Sequence, residues 1–566
     1  MKPQSPPPKA YSELEIVRLV WLAIFISVFS FLSYYRHGDV LLYGDAVAHI
    51  NIARRVFDSK TPGLLQLGTV WLPLPHLLMI PFIVSKQMWQ GGGGGSVPSM
   101  AGFVFGVLGI FRLMRTVLAR DEKVDAAAKV AAWAGAILYA ANPNLIYMQA
   151  TAMGESLYLA FFIWAVAYFA EFARGTDATK ISRSLTKCSL CLAAACLTRY
   201  DGWFLAAILV VGAVGLGLRN APESGAPRSS TPPSRIALAK FVLIAAAGPA
   251  LWLAYNAVVY RNPVEFVNGP YSAKAIEQKT ATVNPAKGNL LAAGYYFLKA
   301  AELNVGESNW QGRLWLALAL LGSFFVAFSG NGRAALLLWA PLPFYALSLA
   351  YGSVPIFVPT WWPFSQYNVR YGLQLLPAFA VFVTLGISFI VQSVAKLPQL
   401  QVSWRRWADA GTLLLILVLE VSSYAAIWRA DPICYREASV NMRGRVALEG
   451  QLAGWIKSLP PDSTFLMFLG AHVGALERAG IPLQRVINEG NHRVWKQPND
   501  PDGLWERALA DPVRYADYLV GFEGDPVWTA AMDRRLAALV EIHTTGQPSA
   551  VIFQGRLQGH TTEPPR

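Results

Sequence analysis

The chain has 566 residues, of which 54% are hydrophobic and 15% are charged. Apolar runs of about 17 to 25 residues recur along it, which is the length that a helix needs to cross a bilayer. This composition excludes an ordinary water-soluble protein. The net charge of +13 does not indicate nucleic-acid binding, because most Lys and Arg residues fall in short connectors between the apolar runs.

The apolar runs predict a polytopic α-helical membrane protein with about eleven transmembrane helices. The first run is long and aromatic and ends without a small-residue cleavage pattern, so we interpret it as an anchor and not as a cleaved signal. In chain order, the predicted spans are 16–34, 97–118, 126–146, 156–173, 185–198, 203–218, 236–259, 314–329, 334–351, 373–394 and 410–427.

The basic connectors predict how the chain is oriented in the membrane. With the N-terminus in the cytoplasm, every strongly basic connector falls on the cytoplasmic side, as the positive-inside rule requires. The protein is therefore expected to be a multi-pass protein of the plasma or inner membrane. The basic connectors are residues 112–129, 174–187, 219–235, the neighbourhood of Arg333, and 396–406.

One further apolar segment, Trp71 to Trp89, needs a separate interpretation. Counting it as a span would place all later basic connectors outside, and Pro73, Pro75 and Pro81 interrupt it. We therefore predict an interfacial or re-entrant helix here. The glycine run at residues 91–95 that follows is predicted to be a flexible linker.

The predicted topology divides the chain into two parts. Residues 1–430 form a membrane module with external segments at 35–96, 261–313 and 352–370. External segments of this size are usually functional. Residues 431–566 are predicted to form a soluble domain that also lies outside the cytoplasm.

The composition of this last part indicates an α/β domain. Its apolar runs shorten to strand length in "STFLMFLG", "YADYLVGF" and "SAVIFQG". Helical stretches are predicted in "GRVALEGQLAGWIKSL" and in "PVWTAAMDRRLAALVEI". Alternation of strands and helices predicts parallel strand pairing.

Charged residues gather directly after the first span, in "YGDAVAHINIARR". Asp45 and His49 are four residues apart, so they share one face of a helix. Asp45 is also a suitable N-cap residue for that helix. Because a capping role and a catalytic role do not exclude each other, the local sequence leaves both open.

The arrangement of these segments resembles a known superfamily. An acidic residue just beyond the first span, followed by "HINIARRVFDSKTPG", the proline-rich "TVWLPLPHLLMIPF" and many further spans, is similar to the GT-C superfamily of polyprenyl-phosphate-sugar-dependent glycosyltransferases. Within it, the layout resembles bacterial relatives of protein O-mannosyltransferases and of aminoarabinose transferases. The resemblance covers roughly the first 430 residues by topology and rests on no single specific motif.

This resemblance implies a function and several roles. A sugar would pass from a polyprenyl-phosphate donor to a lipid, glycan or protein acceptor on the outer face of the membrane, with Asp45 as the general base. Glu155 corresponds to a second acid, although a Glu at a helix N-terminus is also favoured by the helix dipole. Arg370 corresponds to a donor-phosphate ligand. A snorkelling Arg beside interfacial aromatic residues is the alternative, but an Arg on the outer side runs against the orientation bias, which favours phosphate binding.

Other residues are candidates for substrate binding. Arg199 and Asp201 lie in "TRYDGW" at an outer junction of two spans, where they could equally form a simple ion-paired turn. Arg54 could attract phosphate or anchor its helix at the lipid headgroups. His49 and Tyr367 are the remaining candidates, and Tyr367 could instead belong to an interfacial aromatic belt.

Metal dependence is left open by the sequence. A divalent cation could bind Asp45, His49 and Glu155, but two or three candidate ligands do not identify a site. Two other functions remain as alternatives. A transporter or lipid flippase would place charges within its spans and often show an internal repeat, and a scaffold would show no turnover with any lipid-linked sugar.

Overall fold

Helices account for most of the chain. The structure, a computed structural model, describes residues 13–118, 126–219, 233–280, 283–329, 332–395, 407–491 and 503–556. The helices of the first half are α1 (Glu13–His37), α2 (Gly44–Arg55), α3 (Pro73–Met79), α4 (Lys86–Gln90), α5 (Gly93–Leu118), α6 (Ala126–Ala140), α7 (Pro143–Gln149), α8 (Glu155–Ala173), α9 (Ala178–Cys196), α10 (Asp201–Arg219) and α11 (Arg235–Tyr260).

The second half continues the helical pattern and ends in a mixed α/β region. Its helices are α12 (Glu265–Asn268), α13 (Ala273–Thr280), α14 (Leu290–Val305), α15 (Asn309–Ser329), α16 (Pro341–Tyr351), α17 (Leu376–Ala395), α18 (Ala408–Arg429), α19 (Ile433–Ser458), α20 (Leu469–His472), α21 (Gly474–Ala479), α22 (Leu504–Ala510), α23 (Pro512–Tyr515) and α24 (Pro526–Asp533). Short 3-10 helices span Asp39–Leu41, Leu64–Leu67, Ile80–Phe82, Arg333–Trp339, Val369–Leu375 and Leu483–Arg485.

The predicted membrane spans coincide with helical segments. Within the described residues, 8 helices are long and apolar enough to cross a membrane. The other three predicted spans correspond to α6, α9 and α10. The apolar stretches of α6 and α10 are shorter, and α9 carries Lys and Arg residues in its first half. The polytopic helical class is thus confirmed, and the count of eleven spans stays a prediction.

The segment Trp71 to Trp89 does not form one continuous helix. It is divided into α3, a 3-10 turn at Ile80–Phe82, and α4. Proline occupies the start of α3 and of the 3-10 turn, where its missing N–H is tolerated but where a longer helix cannot run through it. The prediction of a proline-broken helix is confirmed.

The predicted flexible linker at residues 91–95 is wrong. Helix α5 already begins at Gly93, and Gly93, Gly94 and Gly95 are buried. A Cβ on Gly94 would lie 2.7 Å from the Ile83 side chain, and one on Gly95 would lie 2.6 Å from Ala152 Cβ. These glycines therefore permit close packing of α5 against its neighbours, which composition alone does not distinguish from flexibility.

A five-stranded sheet lies in the C-terminal region. Its strands are β1 (Phe465–Met467), β2 (Val486–Ile487), β3 (Tyr518–Phe522), β4 (Ala538–Ile542) and β5 (Ala550–Gln554), in the order β2-β1-β3-β5-β4. The three predicted strands are confirmed as β1, β3 and β5. The sheet is mixed and not parallel throughout, because β5 pairs antiparallel with both β3 and β4.

The sequence "PVWTAAMDRRLAALVEI" is helical only in its first half. Helix α24 ends at Asp533, and the second half forms strand β4. The prediction of one helix through this stretch is therefore wrong. Arg535, which lies between the two elements, has a φ of 54°, a left-handed conformation that cannot continue a helix.

The two faces of the sheet contact different groups of apolar side chains. Phe465 and Met467 belong to a large core that also contains residues of the membrane helices. Leu466 belongs to a small separate core with Trp505 and Val527. Because side chains alternate along a strand, one face packs toward the membrane module and the other is covered by α22 and α24.

Candidate active site

Arg370 lies at the centre of a cluster of acidic side chains. Its guanidinium donates from Nη2 to Asp45 Oδ2 (2.6 Å), from Nε to Glu155 Oε1 (3.2 Å) and from Nη1 to Glu437 Oε1 (2.9 Å). The Arg370 side chain is only 7% exposed, and a buried charge of this kind needs paired counter-charges. Three predicted site residues, Asp45, Glu155 and Arg370, are therefore in direct contact.

A second guanidinium, that of Arg199, lies beside the first. It donates from Nη1 to Glu155 Oε1 (3.1 Å), from Nε to Asp201 Oδ1 (3.3 Å) and from Nη2 to the Tyr345 hydroxyl (3.0 Å). Tyr345 in turn donates to Asp201 Oδ2 (3.1 Å). Arg199 and Asp201 thus form the ion pair that was considered for this turn. Through Glu155, Arg199 is also connected to the Arg370 cluster.

Glu437 completes the cluster from helix α19. Its side chain is 1% exposed. Besides Arg370, its Oε1 accepts the Asn368 backbone N–H (3.1 Å) and its Oε2 accepts the Val369 backbone N–H (2.6 Å). A single carboxylate therefore holds both the guanidinium and the backbone segment that carries it.

Asp45 is the open member of the cluster. Its side chain is 42% exposed, compared with 2% for Glu155 and 1% for Glu437. Within the described residues, Glu155 Oε2 is buried without a hydrogen-bond partner. The Asp45 carboxylate is thus the acidic group that an incoming molecule can reach.

Aromatic rings enclose the two guanidiniums. Arg370 Cζ lies 4.9 Å from the ring centre of Tyr43 and 5.1 Å from that of Tyr371, and Arg199 Cζ lies 5.0 Å from that of Tyr371. Such stacking stabilises a cation that has been removed from water. The rings also exclude water from the buried side of both arginines.

The loop before Arg370 has a fixed shape. Phe357 and Tyr367 form an isolated antiparallel bridge, and Asn368 follows with a φ of 57°, a left-handed conformation that Asn tolerates better than most residues. The chain then enters the 3-10 helix that contains Arg370. Tyr367 is 46% exposed, so this predicted substrate-binding residue lies at the open side of the loop.

His49 lies on the same helix as Asp45 but pairs elsewhere. Its Nδ1 is 2.7 Å from His76 Nε2, and its ring centre is 4.8 Å from that of Trp71. Burial, aided by the positive charges of Arg370 and Arg199, lowers the pKa of His49 to about 3. The imidazole is therefore neutral at physiological pH.

Arg54 does not join the cluster. It pairs with Asp58 (2.8 Å) and donates to the carbonyl oxygens of Ile83 (2.6 Å) and Val84 (3.0 Å). Its Cζ lies 4.9 Å from the ring centre of Trp89. The structure therefore gives Arg54 a role in joining α2 to the segment after α3.

The three residues considered as metal ligands do not converge on a metal site. Asp45 and Glu155 both contact Arg370, whereas His49 contacts His76. In the part of the chain that the structure describes, no group of three or more His, Cys, Asp and Glu side chains is placed to hold a metal ion.

Two members of the site were missed by sequence reasoning. Glu437 lies 67 residues after Arg370, beyond the last predicted span, in "ICYREASVNM", which has no motif. Tyr345 lies inside a predicted span. A phenol within an apolar run usually needs a hydrogen-bond partner, and that was the one signal available for Tyr345.

The chain was compared with known proteins. No protein-family model matches the sequence, and no curated protein matches it. Among solved structures, ArnT from Cupriavidus metallidurans bound to undecaprenyl phosphate is similar with a TM-score of 0.53, 14% identity, and coverage of 96% of this chain and 98% of ArnT. The same protein in the apo state is similar with a TM-score of 0.52, 14% identity, and coverage of 95% of this chain and 97% of ArnT.

An archaeal oligosaccharyltransferase from Archaeoglobus fulgidus aligns with a TM-score of 0.46, 14% identity, and coverage of 91% of this chain and 70% of that one. The likeness to ArnT extends over almost the whole of both chains, including the C-terminal region. It confirms that the polytopic α-helical fold with a C-terminal sheet, as predicted, is one that ArnT shares.

Proposed function

We propose that this chain is an integral membrane glycosyltransferase that moves a sugar from a polyprenyl-phosphate donor to an acceptor on the outer face of the membrane. The observation that carries the proposal is the contact between the half-exposed Asp45 and the buried Arg370. The fold supports it, because ArnT has the same fold and was crystallised with undecaprenyl phosphate. A polyprenyl phosphate presents an anionic group next to an apolar chain, and an arginine at the end of a membrane helix suits that group.

Asp45 is the general base in this proposal. The acceptor hydroxyl oxygen attacks the anomeric carbon while the bond between that carbon and the phosphate oxygen breaks. The hydroxyl proton passes to the Asp45 carboxylate, and the electron pair of the broken bond leaves with the polyprenyl phosphate. A single displacement of this kind inverts the configuration at the anomeric carbon.

Arg370 stabilises the departing phosphate. When Asp45 takes the proton it becomes neutral, and its ion pair with Arg370 Nη2 (2.6 Å) loses its charge-assisted strength. The guanidinium can then donate to a phosphate oxygen at the moment when negative charge develops there. Proton uptake by the base and release of the leaving group are thereby coupled through one pair of side chains.

The remaining residues of the cluster support this pair. Glu155 holds both Arg370 and Arg199, and Asp201 orients Arg199, so the two guanidiniums keep fixed positions. Tyr367 contacts substrate at the open side of the loop in this scheme. The neutral imidazole of His49 lies on the face of α2 that carries Asp45, where it is buried against His76 and Trp71 and helps to fix that helix.

The positive-inside rule supports placing this chemistry at the outer face. With the N-terminus in the cytoplasm, residues 35–96, 261–313 and 352–370 and the domain at 431–566 lie outside. The membrane module at 1–430 carries the base and the phosphate ligand. The acceptor is a lipid, a glycan or a protein with a free hydroxyl group.

The experiment incubates the purified full-length protein with radiolabelled polyprenyl-phosphate sugars and a membrane extract, and it measures transfer. Asp45→Asn removes the base while keeping the size of the side chain, so we expect transfer to fall about 100-fold or more. Asp39→Asn is the matched control, because Asp39 lies six residues before Asp45 in the same segment but contacts Tyr435 (3.3 Å) and not Arg370.

Retention of full transfer by a folded Asp45→Asn variant would contradict the assignment of Asp45 as the general base. Failure of every donor with the wild-type protein would sink the glycosyltransferase itself and favour a transporter or a flippase. Reconstituted vesicles would then be assayed for movement of labelled lipid.

A further inference from the structure

A cavity of about 260 Å³ lies beside helix α2. Its walls come from three parts of the chain that all lie outside the membrane in the proposed topology. The first external segment contributes residues 65–71, the large external segment contributes Tyr271 and Ile276, and the C-terminal domain contributes Leu469, Gly470, Val473, Glu489 and Gly490. The cavity is therefore complete only when the C-terminal domain packs against the membrane module.

The cavity adjoins the proposed base along α2. Ala48, Ile52 and Arg55 line it. At about 100° per residue, Ile52 lies within about 20° of Asp45 around the helix axis, and at 1.5 Å per residue Ala48 lies only about 4.5 Å further along it. The part of α2 that lines the cavity therefore runs from about 4.5 Å to about 15 Å beyond Asp45 along the axis, ending at Arg55.

One end of the cavity is polar and incompletely satisfied. Gln66 is 2% exposed and donates from Nε2 to the carbonyl oxygens of Thr61 and Gly490, which fixes the direction of its amide. Its Oε1 is buried without a partner, and so is Arg55 Nε, within the described residues. Buried polar atoms of this kind are normally paired. Gln66 Oε1 could therefore accept a hydrogen bond from a bound group, and Arg55 Nε could donate one.

The charges at this end cancel. Arg55 Nη1 lies 3.8 Å from Glu489 Oε1, so the polar end carries no net charge and would leave a charged ligand uncompensated. Most of the remaining wall is apolar or aromatic, with Trp71, Tyr260 and Tyr271. Apolar walls with a few placed polar groups are typical of small-molecule sites.

From this combination, and on the basis of the proposed glycosyltransferase function, we propose that the cavity binds a neutral sugar ring. A hydroxyl group can donate to Gln66 Oε1 and accept from Arg55 Nε, which a prenyl chain cannot do. The C–H faces of the ring suit the aromatic side chains of the wall. The ring belongs either to the donor or to a glycan acceptor, and the C-terminal domain shares in recognising it.

Binding is tested by protection of an introduced cysteine. Ile276 lines the cavity and is 51% exposed, so Ile276→Cys in the full-length protein should react with a maleimide, and mass spectrometry follows its peptide separately from the four native cysteines. The probes are methyl glycosides of neutral hexoses and pentoses, with glucosamine and glucose 6-phosphate as charged comparators. A binding glycoside at about three times its Kd should slow the reaction about fourfold.

Matched variants check the location. Met532→Cys is equally exposed (50%) but lies outside the cavity, and its reaction should not change. A Cβ on Gly490 would lie 2.7 Å from Gln66 Oε1, so Gly490→Ala in the Ile276→Cys background should abolish protection. Gly450→Ala, where a Cβ meets nothing within 4 Å, should leave protection intact.

The source of the ring is identified with lipid probes. Protection by a polyprenyl-phosphate sugar but not by sugar-free polyprenyl phosphate assigns the ring to the donor. Protection by neither lipid, with methyl glycosides still protecting, assigns it to the acceptor.

The proposal is overturned if no neutral glycoside protects, if the charged comparators protect as well as the neutral ones, or if Gly490→Ala retains protection. Protection does not require turnover, so Asp45→Asn should keep it while losing transfer. The experiment thereby distinguishes an absence of sugar binding in the cavity from an absence of glycosyltransferase activity.

Discussion

At the level of single residues, the site is notable for its excess of acid. Two guanidiniums, Arg199 and Arg370, are shared among four carboxylates, so the formal charge of the cluster is negative. Asp45 is the one exposed carboxylate among them, and its negative charge is the one that protonation by the acceptor hydroxyl removes. The proposed reaction therefore reduces the negative charge of the cluster at the moment when phosphate is released.

Glu437 is predicted to position Arg370. In Glu437→Gln, the amide cannot accept from the guanidinium and from both backbone N–H groups at once, so Arg370 should lose its fixed position. We expect kcat to fall about 100-fold, since truncating one partner of a buried charge pair costs about 3 kcal/mol, while the KM for the polyprenyl-phosphate donor changes less, because Arg370 engages the phosphate as charge develops on it. Steady-state kinetics against donor concentration measure both constants.

Glu437→Asp should restore part of the kcat, because it keeps the negative charge beside Arg370. Glu307→Gln serves as the matched control, since Glu307 pairs with Arg436 at 2.7 Å outside the cluster. An unchanged kcat in Glu437→Gln would contradict the positioning role.

The residues of the site differ in how far sequence could reveal them. Asp45 and Glu155 were identified through a resemblance of layout, and each stands at the start of a helix, where a carboxylate has a physical reason to be. Arg370 was identified because an outward arginine runs against the orientation bias. Glu437 could not be found in this way, since its role arises only when α19 folds back onto the loop before Arg370.

At the level of elements, helix α2 joins the membrane module to the C-terminal domain. Asn51 donates from Nδ2 to Glu477 Oε2 (2.6 Å), and its Oδ1 accepts the Trp89 indole N–H (3.1 Å). Gln90 donates from Nε2 to the Glu477 carbonyl oxygen (2.9 Å). The helix that carries the proposed base is thus held by side chains of both parts.

Glu477 makes this contact dependent on pH. Burial raises the pKa of Glu477 to about 8, with Glu449 raising it further and Asn51, Arg478 and Arg445 opposing. The folded protein therefore binds a proton that the unfolded chain releases near pH 4.5. The resulting stability is present below that pH and is lost as pH rises through about 8.

We expect Glu477→Gln to mimic the protonated side chain. Wild-type protein should lose a few kcal/mol of stability between pH 5 and pH 8.5, at about 1.4 kcal/mol per unit of pKa difference, and the variant should lose less. Thermal unfolding followed with a thiol-reactive dye reports this, because three of the free cysteines are buried. Equal pH dependence in both proteins would contradict the role of Glu477.

Helices and strands could be predicted from the sequence where the local composition is compatible with only one structure. A long apolar run rarely forms anything but a membrane helix, and the predicted spans are helical. The glycine run at residues 91–95 and strand β4 were misread, because packing against neighbours decides their structure. Ile83 and Ala152 lie against these glycines, and β5 pairs with β4, contacts that no local pattern reports.

At the level of the whole molecule, orientation decides which face meets the substrate. The positive-inside rule predicts that the connector at residues 220–232 is cytoplasmic and that the C-terminal domain is not. A phosphatase that folds only outside the cytoplasm should therefore be active when fused after Arg566 and inactive when inserted in that connector. The reverse pattern of enzyme activity would contradict the topology and move Asp45 to the cytoplasmic face.

The placement of Glu437 has a consequence for biosynthesis. Glu437 is synthesised 67 residues after Arg370. A nascent chain can therefore insert nearly all its membrane helices while Arg370 still lacks this counter-ion. On the proposed topology, the polar tail beyond residue 430 must first be exported. The proposed active site would then stay incomplete during synthesis, and export of the tail would be the step that completes it.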